Sequence, residues 1–238
     1  VGRIEIRALP PWEVKAAGLQ VLVQYFTLLQ DSLRTGDAAQ VRALAADAES
    51  IAASLPIYAQ DLVDEDERSD PFFRIVDAPE IRGGELPADD RHTELLGYLD
   101  TAITVLTARG REIAHPLPEA HATARAIRGL VPDMSEVSVL LQRGEDRRAM
   151  DYIVRFTELV AKLLRIMPHA LRQNEDPAAS TAELERYGTE LNTTLQELVG
   201  AFGTQDSVLI GDLVEYELVP KIEELLSYVP QEDQAEQA

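Results

Sequence analysis

Asp212 and Glu215 are the carboxylates whose types and spacing could do chemistry in this chain. On a helix, positions i and i+3 share a face, so both could reach one metal ion or one small polar ligand. Tyr216 follows directly, and Glu217 points elsewhere. A di-metal centre in a helical bundle needs further glutamates and two Glu-x-x-His pairs on facing helices. The chain has one such pair, Glu112-Ile113-Ala114-His115, set between Gly110 and Pro116 where a long helix is not expected. Asp212 and Glu215 therefore stay weak metal candidates. The plainer reading has them bonding arginines or free backbone groups, with the Tyr216 ring packed and its hydroxyl on a polar partner.

The other chemistry-bearing residues form no constellation. His92, His115, His121 and His169 are scattered, and Pro116 and Pro118 break the register between the two that lie nearest Glu112 and Glu119. Nucleophilic catalysis needs a Ser, Cys or Thr held by a base. The sequence has no cysteine and no Gly-x-Ser-x-Gly. Gly83-Gly84 is not a phosphate loop, because no Gly-Lys-Ser/Thr follows. The expectation is no enzyme, no catalytic residue and no cofactor.

Charge narrows the partners. The chain carries 42 acidic and 22 basic residues, a net charge of −20. Such a surface repels nucleic-acid phosphates and anionic lipid, so neither is an expected partner. No apolar run approaches the ~20 residues that span a bilayer, and no signal-peptide core follows Val1. With no cysteine, the expected compartment is the cytoplasm. Lysine appears only as Lys15, Lys162 and Lys221. Few lysines, many alanines and arginines and an acidic excess suggest a bacterial source.

The elements that would carry any site are helices. Leu33-Arg34-Thr35-Gly36-Asp37 recurs as Leu141-Gln142-Arg143-Gly144-Glu145, and more loosely as Phe202-Gly203-Thr204-Gln205-Asp206. Glycine reaches the left-handed conformation that ends a helix, and the acid starts the next one. The pattern predicts an all-α antiparallel helical bundle of about seven or eight helices.

Residues 1–10 read as an arm or short strand, 11–111 as an N-terminal helical half, 112–118 as a Pro-containing joint between two candidate subdomains, 119–229 as a C-terminal half and 230–238 as a disordered acidic tail. The first helix is placed at Trp12–Arg34, with Val14, Ala17, Val21, Tyr25 and Leu28 on its buried face and Leu22, Phe26 and Leu29 widening it. The second helix carries Val41, Leu44, Ala48, Ile51 and Leu55 and is expected to break or kink at Pro56; Gly110 and Pro168 are expected to end helices, and Pro220 to bend the last one. Ala149, Ile153, Phe156, Val160, Leu163 and Met167 step by 4, 3, 4, 3, 4, a heptad seam. Ser180-Thr181-Ala182-Glu183 reads as a capping box.

Residues 64–90 read as a long loop holding Phe72, Phe73, Ile75 and Val76. That cluster either plugs the bundle core or offers itself to a partner.

The stretch Leu141-x-x-Gly144-Glu145-Asp146-x-x-Ala149-Met150-x-x-Ile153-x-x-Phe156 precedes Asp206-Ser207-Val208-Leu209-Ile210-Gly211-Asp212-Leu213-Val214-Glu215-Tyr216-Glu217-Leu218-Val219-Pro220. Over 141–226 the chain resembles a family of uncharacterised bacterial all-α proteins whose last helix carries a similar string. The resemblance implies a helical bundle and brings no activity. The functional expectation is a cytoplasmic adaptor, scaffold or chaperone-like module with a protein partner, homo-oligomers being left open. The alternative is a bundle binding a metal or small ligand through carboxylates.

Overall fold

Gly36 and Gly144 take positive φ, 69° and 74°, and turn the chain out of the helix before each, as their place at a helix end predicts. At each turn the next amide closes back onto the finished helix: Asp37 N–H to the Ser32 carbonyl and Glu145 N–H to the Leu140 carbonyl, both at 2.9 Å. Asp37 then caps the following helix, its Oδ1 accepting from the Gln40 amide at 3.0 Å. The third copy differs. Gly203 stays inside its helix without positive φ, although Asp206 still caps the next helix through the Leu209 amide at 3.0 Å.

The computed structural model describes residues 10–62, 71–173, 181–204 and 206–230. Among them the fold is all-α, without a strand. The expected arm at 3–7, the Ser180 cap, the tail after Pro230 and the acidic run at 64–70 lie outside the described residues. The chain divides into two compact units, Val1–Ala114 and His115–Ala238.

In the first unit the helices are α1 (Pro11–Thr35), α2 (Ala38–Ala45), α3 (Ala48–Tyr58), α4 (Pro71–Val76), α5 (Pro79–Gly83) and α6 (Asp89–Ala114). Helix α1 packs along α6. Leu19, Leu22, Phe26, Leu29 and Leu33 meet a core that includes Leu95, Leu99, Ala102 and Leu106, all essentially buried. Each leucine or phenylalanine side chain among them contributes about 1.5–3 kcal/mol by leaving water.

The loop expected over 64–90 changes here, and of the two readings of its apolar cluster the core plug holds. Its described part is largely helical, and Phe72, Ile75 and Val76 are buried in the core rather than offered to a partner; Phe73 packs half-buried against the same core. Two short helices, each opened by a proline (Pro71 and Pro79), give this stretch hydrogen-bonded backbone that a buried loop would lack.

The second unit holds α7 (Pro116–Ser135), α8 (Val137–Gln142), α9 (Asp146–Gln173), α10 (Thr181–Gly203), α11 (Ser207–Asp212), a π-helical segment (Leu213–Leu218) and α12 (Val219–Ser227). Helices α7 and α9 form its main pairing. Every residue of the heptad seam on α9 is buried, from Ala149 through Phe156 to Met167.

The predicted helix breaks at Pro56, Gly110 and Pro168 do not occur. Local propensity loses to packing at each: Leu55 beside Pro56, Leu106 and Ile113 around Gly110, and Met167 and Ala170 around Pro168 are all buried. The second predicted helix instead divides at Ala46–Asp47. Pro220 does disturb the last helix. It cannot donate to the fourth carbonyl back, and the preceding turn widens to π geometry, the Val219 amide reaching Val214.

Candidate docking groove

Helix α1 has two apolar faces, because its apolar residues cover more of its circumference than α6 can bury. Of the predicted buried face, Tyr25 and the widening residues Leu22, Phe26 and Leu29 are buried, while the rest stays outside. Val14, Val21 and Leu28 are 42%, 57% and 41% exposed. They are spaced by seven residues, and Ala17, Gln24 and Asp31, also exposed, fill the alternate positions of the same seam.

Beside that seam, α1, α2 and α3 enclose an open groove of about 360 Å³. Val21, Tyr25, Leu28, Leu44 and Ile51 supply its apolar surface, and Gln24, Asp47, Ser50 and Ser54 its polar rim. The sequence places Val14, Ala17, Val21, Tyr25 and Leu28 on one buried face, and of these five only Tyr25 is buried. The signal that the rest stays open was the second apolar face, Leu19–Leu22–Phe26–Leu29–Leu33, which α6 takes up.

Two contacts hold α3 and α2 against α1. Gly18 lies against the Tyr58 ring, and a Cβ at position 18 would stand 2.3 Å from Tyr58 Cδ1. Replacing Gly18 by alanine is therefore expected to push α3 off α1 and cost about 1–3 kcal/mol, read as a fall in the urea midpoint. An unchanged midpoint would refute the close approach.

Further along, Tyr25 is 5% exposed, and its hydroxyl donates to the Leu44 carbonyl at 3.3 Å. Burial, and after it the charge of Asp47, push the phenol up to about 12. A tyrosine in the unfolded chain ionises near pH 10. Between about pH 10 and 12 the unfolded chain sheds a proton that the folded chain keeps, so this stability is whole below pH 10 and drains as pH rises, by about 1.4 kcal/mol per pH unit. Tyr25→Phe is expected to flatten the fall in stability of the first unit between pH 10 and 12. Trp12, the sole tryptophan, packs against that unit's core and supplies the fluorescence signal. Equal slopes in both proteins would refute a buried neutral phenol.

The other sequence-predicted residues do not assemble. Asp212 and Glu215 are exposed, and the π segment that begins at Leu213 alters their i, i+3 register. Tyr216 is 68% exposed rather than packed, and the charge of Glu215 beside it raises its phenol above the usual range. Glu112 is buried and paired with Arg109 at 2.7 Å, in a helix that runs on through Gly110 to Ala114. His115 is exposed at the N-cap of α7. Glu119 pairs with Lys162 at 2.8 Å, and His121 Nε2 lies 2.5 Å from the Pro230 carbonyl. Among the described residues no three His, Asp or Glu side chains gather as a metal site. No described helix is long and apolar enough to cross a membrane.

Residues 121–228 match a family described as "Domain of unknown function (DUF8042)". The match contains all of 141–226, so the resemblance of the C-terminal half to a family of unknown function stands, and it begins earlier, inside α7. A protein of Treponema pallidum (strain Nichols), described as an uncharacterized protein, is 27% identical over 160 residues, which covers 63% of this chain and 76% of the relative. No solved structure matches the chain significantly.

Proposed function

We propose that this chain is a non-enzymatic protein-binding module, a cytoplasmic helical adaptor, scaffold or chaperone-like bundle. The observation that carries the reading is the exposed heptad seam of α1 beside its groove. Val14, Ala17, Val21 and Leu28 exposed along one face of an acidic protein, beside an apolar groove, are the kind of surface that partners cover. The carboxylate-ligand alternative has less support, since its two residues stand apart from any further ligands among those described.

The test is a tagged full-length chain and its Val21→Glu variant, each used to capture proteins from source lysate. Val21 is exposed, so glutamate there leaves the core untouched. A stoichiometric partner held by the first protein and lost from the second is the expected result. The same proteins in equal amounts on both would remove the groove from the reading.

A further inference from the structure

We propose that the occupant of the groove is an amphipathic helix of a partner protein, with lysine or arginine flanking its apolar edge. This rests on the protein-binding reading above and names the partner's chemistry. The seam Val14, Ala17, Val21, Gln24, Leu28, Asp31 steps by 3, 4, 3, 4, 3, the spacing by which one helix meets another side to side. From Val14 to Leu28 it runs about 21 Å at 1.5 Å per residue, which suits an occupant of about four turns. An added strand would need a sheet edge to bond to, and the described fold has none.

Charge selects the flanks. The carboxylates on the seam and rim are Asp31 and Asp47. The two basic residues of α1 are engaged elsewhere, Lys15 with Asp61 at 3.5 Å and Arg34 with Asp100 at 3.1 Å. Arg42, the basic residue of α2 and α3, lies against Gly84 beyond α2. The overall charge of −20 works in the same direction, drawing in a cationic helix and repelling an anionic one.

Two fluorescently labelled 18-residue peptides test this, one with leucines on one helical edge and lysines around it, the other with glutamates replacing the lysines. Anisotropy is read against the full chain, Val21→Glu, Leu28→Gln and Asp31→Asn/Asp47→Asn. The lysine peptide is expected to bind the parent chain and the glutamate peptide not to. Val21→Glu and Leu28→Gln are each expected to weaken binding at least tenfold, and the Asp pair several-fold. Val21→Glu also adds negative charge, so attraction to the acidic surface at large would instead tighten it. Binding that is unchanged or tighter in Val21→Glu overturns the proposal, as does failure of the lysine peptide to bind. If both peptides bind and both depend on Val21 and Leu28, the cationic preference falls while the protein-binding reading survives.

Discussion

Replacing Arg109 by methionine is expected to destabilise the first unit by about 3 kcal/mol, among the largest effects available outside an apolar core. Arg109 is 12% exposed and lies between two carboxylates. Its Nη1 donates to Glu112 Oε2 at 2.7 Å, and its Nε stands 2.9 Å from Asp61 Oδ2, near enough for the charges but off the line of a hydrogen bond. Glu112 is 6% exposed at its side chain, so little water reaches it to replace the lost cation. Methionine keeps most of the apolar stem and removes the charge, which isolates the electrostatic part. Urea unfolding read by Trp12 fluorescence measures it.

The double variant Arg109→Met/Glu112→Leu separates this account from lost packing. A buried pair replaced by apolar residues of similar size is often neutral, because both desolvation penalties vanish together. Recovery to within about 1 kcal/mol of the parent is expected. A double variant no more stable than Arg109→Met would refute the explanation.

Phe156→Ala is expected to cost the second unit about 3–5 kcal/mol, the range for emptying a large aromatic site in a well-packed core. Phe156 is completely buried at the middle of the α9 seam, with Ile153 and Val160 on either side. It belongs to the core that α7 and α9 share. Those neighbours belong to the same buried core, so the site collapses only in part. Far-UV circular dichroism in urea reads the loss, since Trp12 lies in the other unit. Val154→Ala, on the outer face of α9 at 47% exposure, is the control and should cost no more than about 1 kcal/mol. Equal losses from the two substitutions would mean that the seam is not core.

Much of the helical architecture was legible in the residues. The glycines at 36 and 144 end helices because their left-handed conformation turns the following amide back onto the finished helix, and after Gly36 the acid also caps the next one. The expected breaks at Pro56, Gly110 and Pro168 failed because a local cost of one to a few kcal/mol, about 1 for glycine and about 3 for proline, is smaller than what the buried neighbours on each side contribute. The site was less legible. Phe72, Ile75 and Val76 share a charged, proline-punctuated stretch, and only the position of the surrounding helices shows that it folds inward.

The two heptad seams mark the division. Val14, Ala17, Val21, Gln24, Leu28 and Asp31 on α1, and Ala149 through Met167 on α9, follow the same alternation of threes and fours. Helical periodicity alone determined that each set shares one face. It carries no information about whether another helix arrives there. On α9 the seam is buried in the core of its unit; on α1 the partner helix α6 takes the opposite face, and the seam stays in water. Side-chain spacing is a property of one helix, whereas burial is a property of two, and only the tertiary structure supplies the second.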